Sequence, residues 1–141
     1  IFPSMVKMHI RLSMDWIKEG EQIMLIKIEA IVREEKLEDV KEALNAIQVN
    51  GITVSQVMGC GSQRGYKSVV RGMEVDVMML PKIKFEIVVS SEEWEKKTIE
   101  AIHQAAYTGE VGDGKIFSYE IRSALKIRTR ETGFDALQAE N

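Results

Sequence analysis

Cysteine is nearly absent from this chain of 141 residues. Cys60 stands alone, which excludes an internal disulfide framework and leaves no zinc site built on cysteines. Histidine is almost as scarce: His9 and His103 are far apart in sequence, which argues against a histidine-rich metal site. No apolar run reaches the roughly 18 residues that a membrane-spanning helix needs. Positive charge is not in excess either. A net charge of −3 suits the chain poorly to coating nucleic acid or an anionic membrane. No Ser-His-Asp, Cys-His or paired-carboxylate arrangement stands out, so the case for catalysis is poor.

What is present is the composition of a globular protein, 45% hydrophobic and 29% charged, rather than that of a disordered chain. The length is that of one domain with a core of its own. Residues 1–23 differ in character from the rest of the chain and lack the apolar region and cleavage pattern of a signal peptide. One reading makes Met24 the natural start and the upstream residues a translated leader, since Lys18-Glu19-Gly20 is encodable by a purine-rich, ribosome-binding-site-like stretch. The other is an amphipathic extension that packs through Trp16 and Ile17.

From Met24 the pattern is clear. Ile26, Ile28, Ala30 and Val32 alternate with Lys27, Glu29 and Ile31, the period of a half-buried strand. Leu37, Val40, Leu44 and Ile47 then recur at helical spacing, and Gly51 marks the turn after that helix. Residues 53–58 read as a second strand. Ile83, Phe85, Ile87 and Val89 alternate with Lys82, Lys84 and Glu86 in a third. Ser90 or Ser91 caps a second helix with Glu92 and Glu93 in its first turn, and Trp94, Ile99, Ile102 and Ala105 or Ala106 supply its apolar face. A glycine turn at 109–114 leads into a fourth strand at 116–121. Lys126-Ile127-Arg128 alternates again, and the tail ETGFDALQAEN is polar with little to bury. The order β-α-β-loop-β-α-β predicts an α+β, ferredoxin-like βαββαβ sandwich with a long loop between strands 2 and 3.

Three places carry candidate chemistry. Residues 59–81, GCGSQRGYKSVVRGMEVDVMMLP, form a connection far longer than the roughly 12–15 residues at which loops become uncommon and usually functional. It mixes Arg64, Lys67 and Arg71 with Tyr66, Val69, Val70, Met73, Met78 and Met79, the character of a docking surface. The second place, TGEVGDGK at 108–115, puts glycines and a lysine where backbone N–H groups can approach an anion; an ordinary tight turn is the alternative. It is not a P-loop, which has wider glycine spacing and a Ser or Thr after the lysine. Third, Lys126 and Arg128 would share one side of a strand, either as a solvated basic face or, with Lys115, as partners of a polyphosphate. Cys60 reads as a small buried residue or as a reactive thiol.

The motifs KIEAIVR, KLEDVKEAL, NGITV, GCGSQRG, VRGMEV, LPKIKFEIVV, TGEVGDGKIF and KIRT, in this order and spacing, resemble the nitrogen regulatory P-II signal-transduction proteins. The resemblance runs from Ile26 to about Arg130 and implies a homotrimer that binds ATP or ADP in clefts between subunits. It divides residues 24–141 into a single domain with a T-loop at about 61–80, a B-loop at 108–115 and a C-terminal segment at 126–141. It implies nucleotide contacts at Ile31, Gly51, Ile52, Thr53, Gly61, Ser62, Gln63, Val88, Gly112, Asp113, Gly114 and Lys115, with Lys126 and Arg128 reaching phosphates from the neighbouring subunit. Gln63 and Lys82 match the residues that bind 2-oxoglutarate beside Mg²⁺-ATP, with Gln63 at the metal. Glu86 would pair with Lys115 when the γ-phosphate is absent. Tyr66, Arg71 and Met73 fall in the target-binding loop.

The departures from the pattern are also informative. Val75 stands where uridylylated relatives carry tyrosine, Met73 where some carry a phosphorylated serine, and Val70 where another tyrosine is common. Ser62, Lys126 and Ser118 also differ from the usual residues. The resemblance implies a cytoplasmic regulator, not an enzyme, that is recruited to the membrane only through an ammonium transporter or else acts on nitrogen-metabolism enzymes. A divergent relative serving nitrogenase or another biosynthetic enzyme is the alternative. An RNA-binding module has the same element order, but it stacks bases on sheet aromatics, and here the third strand offers Phe85 alone. A small ATPase lacks a base to position water.

Overall fold

The computed structural model describes residues 24–49, 51–60, 68–70, 73–75 and 79–138, of which 68–70 and 73–75 are described by their backbone alone. The expectations placed on residues 1–23 and on Gly61, Ser62, Gln63, Tyr66 and Arg71 lie outside these residues, as does the Met73 side chain.

Strand β1, Ile26–Arg33, buries every second residue, and Ile26, Ile28, Ala30 and Val32 face the core. A 3-10 turn at Glu34–Lys36 leads into α1, Leu37–Ala46. Strand β2 is Ile52–Gly59, and a two-stranded ladder of β3, Ser68–Val70, and β4, Met73–Val75, stands within the long connection. Strand β5, Leu80–Val89, precedes α2, Glu92–Ala106, and β6, Gly114–Glu120, completes the main sheet. A 3-10 helix at Gly133–Leu137 follows. The four main strands lie in the order β2-β5-β1-β6, all neighbours antiparallel, which is the ferredoxin-like arrangement the sequence predicts.

One face of this sheet is the core. Ile83, Phe85, Ile87 and Val89 of β5 join the β1 row and pack against Val40 and Leu44 of α1 and Ile102 and Ala106 of α2. The period-2 pattern fixes this register, because a slip of one residue would drive Lys27 and Lys84 inward. The opposite face carries a charged network. Lys27 reaches Glu86 at 3.0 Å, Lys84 reaches Glu29 and Glu86 at 3.8 Å each, and the Tyr119 hydroxyl donates to Glu29 at 2.8 Å.

The two helices end for identifiable reasons. Ser91 caps α2, its hydroxyl accepting from the Trp94 N–H at 3.1 Å, with Glu92, Glu93 and Glu95 in the first turn, where the macrodipole favours them. Ser91 is buried, so Ser91→Ala is expected to cost about 1 kcal/mol in denaturant unfolding.

Helix α1 closes in a Schellman motif: Val49 N–H donates to Leu44 O at 3.0 Å and Gln48 N–H to Asn45 O at 2.9 Å. The left-handed residue is Gln48, at φ 65°, and not Gly51, which the sequence suggested as the turn. The hydrophobic contact that accompanies such a cap accounts for this placement, since Val49 and Leu44 are both buried. Gln48→Gly relieves a left-handed strain of about 1–2 kcal/mol against a glycine entropy cost of roughly 0.5–1 kcal/mol. A midpoint shift equivalent to ~0.5–1 kcal/mol of added stability is expected in urea.

Two further expectations are corrected. Lys126-Ile127-Arg128 is not a strand. Lys126 N–H donates to Glu131 O and Arg130 N–H to Lys126 O, each at 2.8 Å, and a bridge pairs Leu125 with Thr132, so 126–131 is a tight turn with Ile127 90% exposed. Three residues are too few for alternation to outweigh the turn's own hydrogen bonds. The tail also buries more than its polarity suggested, because Phe134, Ala136 and Leu137 are half-buried.

Candidate functional site

The glycine-rich loop after α2 is built around one carboxylate. Asp113 accepts from Thr108 N–H at 2.8 Å, from Gly109 N–H at 2.9 Å and from the Thr108 hydroxyl. Arg33, at the end of β1, donates its Nε to the same carboxylate at 3.0 Å and its Nη2 to Val111 O at 2.8 Å. Burial opposes ionisation of Asp113. The hydrogen bonds from Thr108, Arg33 and Gly109 outweigh it and hold the carboxyl well below its ordinary value of 3.8.

Because the folded value is depressed, the stabilisation from Asp113 is complete above that ordinary value and drains away as pH falls below it. Thermal unfolding from neutral pH down to about 2 is expected to show the wild type losing stability relative to Asp113→Asn as acid protonates the carboxylate.

Left-handed glycines give the loop its shape, at φ 87° for Gly109, 108° for Gly112 and 103° for Gly114. At Gly114 the requirement is steric as well, since a Cβ there would stand 1.8 Å from Ile31 O. Lys82, near the start of β5 and hence at the root of the long loop, donates its ammonium to Gly112 O at 2.7 Å. Burial disfavours the charged form of Lys82, the adjacent Arg33 adds to that, and Glu35 and Asp113 partly offset it. The ordinary tight-turn reading is therefore incomplete: two cations from the sheet fasten this loop, and one of them, Lys82, stands near the start of β5, where the long connection ends.

Ile31 and Lys115 are register partners across β1 and β6, so they join this cluster, and Lys115 is exposed on the edge strand. Gly51, Ile52, Thr53 and Val88 come together elsewhere. They line a cavity of about 810 Å³ that Trp94, Phe134, Ala136, Leu137 and Gln138 also line. Lys126 stands at its margin, donating to Gln138 O at 2.8 Å and lying 3.8 Å from Glu131. Arg128 is exposed on the neighbouring turn. Glu86, expected opposite Lys115, is engaged by Lys27 and Lys84 in this chain. Cys60 is exposed, not buried as its size and position suggested, because β2 is an edge strand that ends at Gly59.

The two clusters occupy opposite ends of the sheet. Val88 lies six positions along β5 from Lys82, or ~20 Å at ~3.3 Å per residue. One chain therefore presents a glycine-rich loop at one end and, at the other, a half-apolar cavity that Lys27 and Glu86 also line and Lys126 flanks. Sequence reasoning missed Arg33, whose partner Asp113 is 80 positions away. It also missed Phe134 and Leu137, whose spacing of three was the one available signal.

Comparison with known proteins agrees with this architecture. The sequence model of the family described as "Nitrogen regulatory protein P-II" matches residues 25–131. The chain is 52% identical over 111 residues to Nitrogen regulatory protein P-II 1 of Methanothermobacter thermautotrophicus, covering 79% of this chain and 96% of that protein. It is 51% identical over 111 residues to Nitrogen regulatory protein P-II of Rhodospirillum rubrum, covering 79% and 98%. A crystal structure of Arabidopsis thaliana PII bound to citrate superposes with a TM-score of 0.63 at 36% identity, covering 80% of this chain and 92% of that one. Among the described residues no helix is long and apolar enough to cross a membrane. The chain belongs to the nitrogen regulatory protein P-II family, whose members are regulatory signalling proteins and not enzymes.

Proposed function

We propose that the chain is a cytoplasmic sensor of nitrogen, carbon and energy status that binds ATP or ADP and, with Mg²⁺-ATP, 2-oxoglutarate. The observation that carries this reading is the bond from Lys82 to Gly112 O, which joins the root of the effector connection to the glycine loop.

The residues present fit the ligands. Left-handed backbone at Gly112 and Gly114 lets a phosphate approach the main chain, and Lys115 supplies charge beside it. Lys82 holds a partly desolvated ammonium, so a carboxylate arriving there strengthens the charged form that burial disfavours. Mg²⁺ takes oxygen ligands, and the triphosphate, the Gln63 amide carbonyl and the keto acid would supply them.

The glycine loop and the cavity lie toward opposite ends of the sheet, with Lys82 and Val88 ~20 Å apart along β5, so one chain does not fold them round a common ligand. A site that uses both needs two copies: the cavity with Lys126 and Arg128 from one, the loop at 112–115 from the next. This supports an oligomer with nucleotide between subunits, and the resemblance to P-II proteins makes that oligomer a homotrimer.

A ligand carboxylate at Lys82 competes with Gly112 O for the ammonium. The resulting adjustment at the start of β5 is passed directly into the connection that carries Tyr66, Arg71 and Met73. Reorganising a segment by a small anion and its metal is a recognised kind of switch. By linkage, a target that prefers one loop shape alters ligand affinity by the same factor.

Calorimetric titration should show ATP and ADP each binding and displacing the other; binding of neither would end this reading. Pull-down from cell extract with ATP, with and without 2-oxoglutarate, distinguishes an ammonium transporter from nitrogenase or another nitrogen-metabolism enzyme as the target.

A further inference from the structure

We propose that the segment before Met24 docks through Ile10, Met14, Trp16 and Ile17 into the groove between α1 and α2 of its own chain. This docking is independent of the ligands proposed above.

The groove, of about 700 Å³, lies between the C-terminal end of α1 and one stripe of α2. Trp94, Lys97, Ala101 and Gln104 recur at helical spacing along that stripe. It is not the stripe of Thr98, Ile102 and Ala106, which enters the core. Ile47, Trp94 and Ala101 supply the apolar surface of the groove, and each is only half-buried. Two of the rim charges are already engaged. The Lys97 ammonium stands 5.1 Å from the centre of the Trp94 ring and 3.5 Å from Glu93, and Gln104 donates to Glu100 at 2.9 Å. Lys96, exposed on the same rim, has no ion-pair partner among the described residues.

The point at which the chain enters the sheet selects the occupant. Met24 N–H donates to Ser90 O at 3.0 Å, so the preceding residues leave β1 beside the start of α2. Ser90 and Trp94 are four residues apart, at most ~14 Å. Ile17 and Met24 are seven apart, which spans up to ~25 Å when extended. The segment therefore reaches the groove with length to spare. Ile10, Met14 and Ile17 recur at spacings of four and three, the pattern of one helical face, and Trp16 adds a large apolar surface beside it. Asp15 and Glu19, on either side of Trp16-Ile17-Lys18, supply Lys96 with a carboxylate partner. A short tether also raises the effective concentration of the segment at the groove, so a modest apolar contact is enough to hold it. A second copy or a separate protein lacks that tether.

The test uses the full chain carrying Trp94→Phe, which keeps an aromatic ring in the groove and leaves Trp16 as the only tryptophan. Docking should shift the Trp16 emission to shorter wavelength and shield it from acrylamide. Ala101→Gln, which fills the groove, should return that emission to longer wavelength. Lys96→Glu should do the same, and at an exposed position it guards against a variant that fails to fold. In the wild type, zero-length carbodiimide coupling should join Lys96 to Asp15 or Glu19. In a mixture of isotopically light and heavy chains, the joined peptides should be wholly light or wholly heavy. A solvent-exposed Trp16 emission, which would leave the groove to a separate partner, overturns the inference, as does a shielded one that neither groove variant moves. Couplings found only between light and heavy chains make a second copy the occupant and overturn it too. So does a native chain that begins at Met24.

Discussion

Gly114→Ala is expected to unfold the glycine loop from the sheet and, on the proposed reading, to abolish nucleotide binding. Gly114 is the first residue of β6 and the register partner of Val32, so its backbone lies directly against β1. An added Cβ would meet Ile31 O at 1.8 Å and the Ile31 carbonyl carbon at 2.8 Å. Both are main-chain atoms of a central strand, and they cannot give way without opening the β1–β6 ladder. The residue also sits at φ 103°, where any side chain is strained. Overpacking of this kind costs typically ~1–3 kcal/mol and left-handed strain a further ~1–3 kcal/mol, so a loss of about 2–6 kcal/mol is expected. That is a large share of the ~5–15 kcal/mol by which a domain is stable. Gly51→Ala is the control for stability, since nothing stands within 4 Å of a Cβ there, and it should change unfolding by less than ~0.5 kcal/mol. Equal denaturant midpoints for the two variants would show that the contact at Gly114 is not as drawn.

Lys82→Ala is expected to eliminate 2-oxoglutarate binding while leaving ADP affinity within about threefold of wild type. The substitution removes the ammonium that would meet a ligand carboxylate, and truncating one partner of a buried, hydrogen-bonded charge pair costs ~2–5 kcal/mol, or roughly 30- to several-thousand-fold. The fold should tolerate it. The Gly112 carbonyl loses its donor, at about 1 kcal/mol, but Arg33 is relieved of a neighbouring cation and still fastens Val111 and Asp113. Isothermal titration with each ligand separates the two effects. Loss of ADP binding in parallel would mean that Lys82 acts on the glycine loop and not on the keto acid.

The fold was legible because its strands alternate cleanly. Ile26 to Val32 and Ile83 to Val89 each bury one face, and only Ile31 and Val88 place an apolar residue at an outward position. The glycine loop and Lys82 were legible as separate motifs. Their junction was not, since Lys82 and Gly112 are 30 positions apart and Arg33 and Asp113 are 80 apart, distances that only the antiparallel register closes. Short segments failed for a different reason. Between Lys126 and Glu131, and at Gln48 and Val49, a few turn hydrogen bonds decide the conformation, and composition says little about them. At the tail, three half-buried residues among polar ones gave no sustained period to read.

Whether Lys82 couples a metabolite to the nucleotide is decided by titrating 2-oxoglutarate into the wild-type chain with Mg²⁺-ATP, with Mg²⁺-ADP and with neither. Binding is expected with Mg²⁺-ATP alone, because in the proposed reading the γ-phosphate, the metal and Lys82 would together form the place for the keto acid. Equal binding in all three, or none with Mg²⁺-ATP, would refute that coupling.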